Sequence, residues 1–307
     1  MRTIHSANEL RAGGRKVCLA IGFFDGVHLG HQQIIRQTIS DARQHEGLAV
    51  VLTFDRHPNV VVAPAKVPPL IYPLPRKLRA IEGLGVDNLL LLHFDREFSQ
   101  QTGEDFVKRL VREIGPIQSL CVGSNFVFGH KRSGNVELLK RLGAELRFVV
   151  HGMAAVSLDG KAVSSTRIRE AIARGDLDGA GQMLGRTYSL SGKVIPGDGV
   201  GRKLGFPTAN LEVAGLALPP GGVYAIHAEV EGQAFRAVLN IGHRPTRNQP
   251  APVLHVEAHL LDFTGDLYGK DLEVVFVDRL RDEKKFNSMD ELRDQIGRDI
   301  EAARGRF

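Results

Sequence analysis

The chain has no tryptophan, four tyrosines and two cysteines among its 307 residues. Few large aromatics means few platforms on which bases could stack, which argues against a binder of single-stranded nucleic acid. Each cysteine lies inside an apolar run, Val17-Cys18-Leu19 and Leu120-Cys121-Val122. Two such residues make no disulfide framework and no close-spaced zinc pair, so they read as buried free thiols. No apolar run approaches the ~20 residues needed to cross a bilayer. The first residues, Met1-Arg2-Thr3-Ile4-His5-Ser6, lack the apolar core of a signal peptide. A soluble cytoplasmic protein with no membrane partner is expected. There are no internal repeats, and no heptads or long exposed apolar stripe from which an oligomeric state could be read; a monomer or weak homo-oligomer is expected. Charge is nearly balanced, 40 basic against 35 acidic residues, for a net +5. The basic residues are dispersed, which suits anionic small molecules and gives no nucleic-acid patch.

What is present is enough apolar content for two cores: 43% of the residues are hydrophobic and the length exceeds one typical domain. The first half alternates apolar strand-like runs with helical patterns. Strands are expected at Val17 to Ile21, Leu48 to Phe54, Val86 to Phe94, Ser119 to Gly123 and Leu146 to Val150. Helices are expected after His31, over Arg76 to Leu84, around Phe106 to Ile114 and over Val136 to Leu142. The prolines between Pro64 and Pro75 predict a loop. Continuous apolar strands separated by helices predict an α/β domain, a parallel sheet covered on both faces. After about residue 185 the pattern becomes short β-branched and aromatic runs separated by Gly and Pro. These are Tyr188 to Ile195, Gly222 to Val230, Ala234 to Ile241, Val253 to Leu261 and Leu272 to Phe276. A small antiparallel sheet or barrel is expected there. Ser288 and Glu291 form a capping box ahead of a last helix with Leu292, Ile296 and Ile300 on one face. The domains are set at 1–184 and 185–307.

Four stretches carry candidate chemistry. Gly22-Phe23-Phe24-Asp25-Gly26-Val27-His28-Leu29-Gly30-His31 runs from a strand through a tight turn into a helix. The helix start offers unpaired N–H groups and partial positive charge, which suits phosphate. His28 and His31, three apart, can point the same way. Three glycines allow a sharp turn. The spacing alone fits a phosphate site and a plain turn equally. Ser164-Ser165-Thr166-Arg167-Ile168-Arg169 opens another helix, with two arginines at the positive end of its dipole, where a bound anion would relieve their cost. Gly197 to Gly205 holds four glycines with Arg202 and Lys203, and leads into Phe206-Pro207-Thr208-Ala209-Asn210. Thr208 and Asn210, two apart, share a face of an extended segment and offer oxygen ligands suited to Mg²⁺; a flexible loop with a structural Asn fits as well. Glu257 and His259 share a face of an alternating segment. There a carboxylate could take a proton from a hydroxyl, or face solvent on the outside of a barrel.

Together these stretches resemble the prokaryotic bifunctional riboflavin kinase/FMN adenylyltransferase family over residues 16 to 300. Gly22 to His31 is similar to its phosphate turn, with His28-Leu29-Gly30-His31 as the His-x-Gly-His motif. Gly123-Ser124-Asn125-Phe126-Val127-Phe128-Gly129 resembles its flavin loop, and Ser164 to Arg169 its Ser-Ser-Thr-Arg-Ile-Arg helix start. Pro207-Thr208-Ala209-Asn210, Gly222-Val223-Tyr224, Asn240 to Thr246 and Glu257 to Gly269 resemble the blocks of its kinase half. Local departures are Arg56 in place of a proline before His57-Pro58, Val127 in place of an arginine, and Arg247 in place of an aromatic.

The resemblance implies a Rossmann-like nucleotidylyltransferase domain followed by a Greek-key β-barrel kinase domain with a C-terminal helix. It implies two ATP-dependent reactions, riboflavin to FMN in the second domain and FMN to FAD plus pyrophosphate in the first, with Mg²⁺. Glu257 would be the general base of the kinase. Thr208 and Asn210 would place Mg²⁺ and the ATP phosphates, and Gly199, Gly201 and Lys203 would cover them. For adenylyl transfer, His28, His31 and Arg167 would act on the ATP phosphates, with Gly22, Phe23, Ser164 and Thr166 also at the nucleotide. Asn125 and Phe128 would hold flavin. An attacking FMN phosphate is already anionic, so adenylyl transfer needs no general base and no covalent intermediate.

Overall fold

A computed structural model describes residues 1–10, 12–244 and 253–307. The motif residues Pro245, Thr246 and Arg247 lie outside the described residues. The chain forms two compact units, Met1–Pro69 with Leu74–Arg167, and Leu70–Pro73 with Ile168–Phe307.

The first unit is built on β1 (Arg2–Ile4), β2 (Val17–Ile21), β3 (Leu48–Phe54), β4 (Asn88–Leu92), β5 (Ile117–Gly123) and β6 (Val149–Met153). They form one parallel sheet in the order β1-β4-β3-β2-β5-β6. Its helices are α1 (Leu29–Gln44), α2 (Asn59–Val62), α3 (Leu74–Glu82), α4 (Arg96–Ser99), α5 (Gly103–Ile114) and α6 (Val136–Leu146). Every residue of β2 is buried, because Val17, Leu19 and Ile21 pack under α5 and α6 while Cys18 and Ala20 pack under α1 and α3. Ile34, Ile35, Thr38, Ile39 and Ala42 are the buried side of α1, as their spacing requires. A short hairpin, β7 (Ser157–Leu158) with β8 (Lys161–Ala162), follows the sheet. Strand order reverses between β2 and β5. That switch point is where open parallel sheets bind ligands, and residues 22–28 sit on it.

The structure corrects one expected strand bound and adds two features. Leu146 ends α6 instead of opening a strand, because Arg147 takes a left-handed turn (φ 64°) and stops the helix. The strand therefore begins at Val149. The pairing of Arg2–Ile4 with β4 adds an edge strand that three residues were too short to reveal. In the proline-rich loop, Leu70 bonds both ways with the 215–217 turn, accepting from Ala217 N at 2.8 Å and donating to Gly215 O at 2.7 Å. That pairing places Leu70–Pro73 in the second unit.

The second unit begins with α7 (Ser165–Arg174), whose Ser165, Thr166 and Arg167 are counted in the first, and α8 (Leu177–Leu184). Its strands are β9 (Ser189–Ile195), β10 (Ala209–Leu211), β11 (Gly222–Val230), β12 (Gln233–Arg244), β13 (Val253–Leu260) and β14 (Asp271–Arg281), with α9 (Val200–Lys203) inside the β9–β10 connection. They close an antiparallel barrel in the order β10-β13-β12-β11-β14-β9. Within it β14 returns beside β11, giving the β14-β11-β12-β13 arrangement of a Greek key. Leu239, Ile241, Val256, Ala258 and Leu260 point inward. Val223, Ala225 and Val238 point outward and pack on Ile300 and Ala303 of α10 (Met289–Arg304). Half of the expected capping box forms, Ser288 Oγ accepting from Glu291 N at 3.1 Å, while Glu291 Oε2 reaches one residue further back and accepts from Asn287 N at 3.1 Å.

Candidate active sites

The turn after β2 is strained in an unexpected place. Gly22 and Gly30 do not supply the left-handed conformations. Apart from Gly26 (φ 76°), those fall on Phe24 (φ 55°) and Val27 (φ 44°), both buried. A β-branched residue at positive φ persists only where its surroundings hold it. Here several carbonyls of the turn are gripped. Phe23 O accepts from Thr53 Oγ1 at 3.0 Å and from Lys77 Nζ at 3.2 Å. Phe24 O accepts from Val27 N at 3.1 Å, Asp25 O from Ser165 Oγ at 3.1 Å, and Val27 O from Gln32 Nε2 at 3.0 Å.

His28 is the N-cap of α1, its Nδ1 accepting from His31 N at 3.4 Å. The two imidazoles stack with centroids 3.5 Å apart, and the edge of Phe24 meets His31. Burial, with His28 and Lys77 nearby, holds the His31 imidazole well below 6.5. The His31 imidazole is therefore neutral near pH 7. Ser165 joins α7 to the turn. Its neighbour Ser164 caps α7 by accepting from Arg167 N at 3.2 Å. Thr166 is exposed. The Arg167 Nη1 donates to Leu158 O at 3.1 Å and Lys161 O at 3.0 Å, bracing the small hairpin.

Beside this turn lies a cavity of about 800 Å³ walled by Phe54, Phe94, Phe98, Phe106, Phe126 and Phe128, and reaching Phe23 at one side. Phe126 and Phe128 stack with centroids 5.1 Å apart. Its charged lining residues, Arg96, Lys131 and Arg132, are all basic. An aromatic cavity with basic groups and no carboxylate suits a planar anionic ligand. Phe128 is thus in the wall, whereas Asn125 is exposed in the turn before it. Lys77 escaped sequence reading because it looks like one more surface lysine of an amphipathic helix, yet it is 2% exposed.

The second centre is on the outer face of the barrel. Residues 256, 258 and 260 point inward, so Glu257 and His259 point outward. Glu257 is only 8% exposed. In register, Glu257 faces Asn210 on β10 and Asn240 on β12. Thr208 Oγ1 donates to Glu257 Oε2 at 3.4 Å. Pro207 is held from the other side, its carbonyl bonded to His259 Nδ1 at 2.8 Å. The glycine segment lies on this cluster: a Cβ on Gly201 would meet Thr208 Oγ1 at 3.2 Å. Gly199 is exposed at the start of α9 and Lys203 is exposed at its end.

One candidate centre in each unit, the first an aromatic, basic-lined cavity beside a strained strand-to-helix turn and the second setting a carboxylate beside hydroxyl and amide oxygens near a glycine segment, is the layout of a two-centre transferase. Comparison with known proteins specifies it. Residues 11–167 match the family model described as FAD synthetase, and residues 184–307 match riboflavin kinase. The chain is 37% identical to the bifunctional riboflavin kinase/FMN adenylyltransferase of Haemophilus influenzae, covering 100% of this chain and 98% of the relative. It is also 37% identical to that of Pseudomonas fluorescens, covering 99% and 97%. A solved structure described as a macrolide-efflux protein from Streptococcus pneumoniae is similar at a TM-score of 0.81 and 31% identity, covering 99% of each chain. Among the described residues no helix is long and apolar enough to cross a membrane. The chain belongs to the bifunctional riboflavin kinase/FMN adenylyltransferase family. It phosphorylates riboflavin to FMN in its C-terminal part and adenylylates FMN to FAD in its N-terminal part, with ATP as co-substrate.

Proposed function

We propose that Glu257 is the general base of the kinase centre and that the Gly22–His31 turn is the ATP station of the adenylyltransferase centre, with the division between domains at 184/185. The observation that carries this reading is the packing of Glu257, Thr208 and Asn210 across paired strands beneath the 197–206 segment. In the kinase, the Glu257 carboxylate takes the proton of the riboflavin 5′-hydroxyl as its oxygen attacks the γ-phosphorus of ATP, and ADP leaves. Thr208 and Asn210 offer oxygen donors beside that carboxylate, a set that fits Mg²⁺. Bound there with ATP, the ion would neutralise phosphate charge. Gly199, Gly201 and Lys203 cover the phosphates.

In the adenylyltransferase, an FMN phosphate oxygen attacks the α-phosphorus of ATP and pyrophosphate leaves. His28 and neutral His31 hydrogen-bond the phosphates at the helix N-terminus, where backbone N–H groups add partial positive charge. Gly22 and Phe23 line the nucleotide, Ser164 and Thr166 lie at the start of α7, and Arg167 clamps the phosphates from there. Phe128 stacks on flavin and Asn125 closes over its edge. The protein works in the cytoplasm as a monomer or weak homo-oligomer, without nucleic acid or membrane. The test is product chromatography on His28→Ala/His31→Ala given riboflavin and ATP. FMN should accumulate without FAD; FAD at the parent rate would overturn the role of this turn.

A further inference from the structure

Lys77 is a charged group inside the first unit that neither reaction needs for its chemistry. Its Nζ donates to Phe23 O at 3.2 Å, to Thr53 Oγ1 at 3.3 Å and to Phe54 O at 2.9 Å. An ammonium has three N–H donors, and three acceptors are in place. The same nitrogen lies 4.2 Å from the Phe23 ring centroid. Thr53 is fully buried and itself donates to Phe23 O. Three elements meet at this nitrogen: α3, which carries it, the end of β3, and the strained turn after β2. The facing charged and titratable groups are Asp25 in the turn, Asp55 after β3 and His31 on α1.

We propose that Lys77 is the positioning residue of the adenylyltransferase centre, fixing the Phe23 carbonyl to the end of β3 and thereby holding the left-handed Phe24–Val27 turn that aims His28 and His31. This deepens the reading of that turn as the ATP station and rests on it. Burying a lone ammonium is costly, so a purely apolar filler would pack here more cheaply. What the ammonium adds is direction, three bonds to two chain segments that otherwise have no covalent link near the site. The turn needs such a hold, because Val27 at φ 44° would relax without it.

The group is also poised to report on itself. Burial pulls the Lys77 ammonium down to about 8, against the opposing pull of Asp25 and Asp55. Above that pH the amine has two donors for three acceptors, and the grip on the turn weakens. FAD formation from FMN should therefore fall on the alkaline side through about pH 8 in kcat/KM, while FMN formation from riboflavin has no such limb.

The experiment measures both reactions against pH for the full chain, for Lys77→Met and for Thr53→Val. Lys77→Met should lower FMN adenylylation about 100-fold, the scale of an ångström of misplacement, and abolish the alkaline limb. Thr53→Val removes one acceptor and should move the limb to lower pH, with parental circular dichroism. A filler role for Lys77 would leave that limb where it is. Rates within about threefold of the parent for Lys77→Met, or an unmoved limb in Thr53→Val, would overturn the proposal. If Lys77→Met does not fold, the Thr53→Val limb decides. His28→Ala, assayed alongside, separates the two ideas. Parental FAD formation there sinks the reading of the turn itself, whereas a loss there with parental Lys77→Met sinks only the role of Lys77.

Discussion

Gly197→Ala perturbs the kinase centre without removing any group that acts in it. The backbone at Gly197 is not in the left-handed region, so alanine is conformationally acceptable there. The obstacle is space. A Cβ would lie 2.5 Å from Asn210 Cγ and 2.8 Å from its Oδ1, inside any tolerated contact. The obstructing atoms belong to a short side chain that can swing away, so the fold yields cheaply. An off-rotamer Asn costs about 0.5–1.5 kcal/mol, which lowers Tm by about 2–6 °C in a domain of this size. Function yields less cheaply. An oxygen donor displaced by about an ångström costs roughly 100-fold, or about 2.7 kcal/mol of transition-state stabilisation. The assay is chromatography of FMN formed from riboflavin, with FAD formed from supplied FMN as internal control. The expected result is a large fall in the first, none in the second, and a small shift in melting. Gly205→Ala is the contrast. Its φ of 91° strains an alanine, but a Cβ there meets nothing within 4 Å, so it should cost about 1–2 kcal/mol of stability with FMN formation retained. Parental FMN formation in Gly197→Ala at an unchanged Tm would refute the placement of the glycine segment on Asn210.

Other outcomes follow from the same groups. His31 titrates well below 6.5 when folded, so the unfolded chain takes up its proton first. Stability contributed by this residue is present above about pH 6.5 and is lost as pH falls; urea midpoints of the parent should drop more steeply on acidification than those of His31→Gln, and equal slopes would contradict its desolvation. Cys18 and Cys121 are fully buried, and burial pushes the Cys121 thiol up to about 12. Both thiols should stay silent to a disulfide-exchange reagent until denaturant is added, and a fast-reacting thiol in the native protein would contradict their placement. Phe128→Ala removes one face of the stacked Phe126–Phe128 pair. It should raise KM for FMN in adenylylation by about tenfold or more and leave riboflavin phosphorylation unchanged; an unaltered KM would take flavin out of the aromatic cavity.

Much of this was legible in the sequence because burial on both faces writes itself as unbroken apolar runs. Val17 to Ile21 and Leu48 to Phe54 were placed to the residue, as was the barrel strand from Gly222 to Val230. Edges were harder. Arg2–Ile4 is too short for a period, and Asp271–Arg281 runs five residues past the apolar part that marks it. The motifs pointed to the two candidate centres, but not to how each is held. Three glycines predict a sharp turn after β2, yet of the three only Gly26 is left-handed; the other left-handed positions are Phe24 and Val27, in a turn whose carbonyls are held by groups distant in sequence. Lys77 is the extreme case, since its partners at Phe23 and Thr53 lie on other elements. Glu257 could have faced solvent on an outward strand position; its burial beside Asn210 and Thr208 depends on strand pairing that its own segment does not encode.

The division of labour is tested most directly by Glu257→Gln, assayed once from riboflavin and once from FMN with ATP and Mg²⁺. The side chain keeps its size and its place between Asn210 and Asn240 but loses the basic carboxylate that the proposal has accept the hydroxyl proton. FMN formation from riboflavin should vanish, while FAD formation from supplied FMN runs at the parent rate. FMN still formed from riboflavin, or both reactions lost in a folded variant, would contradict it.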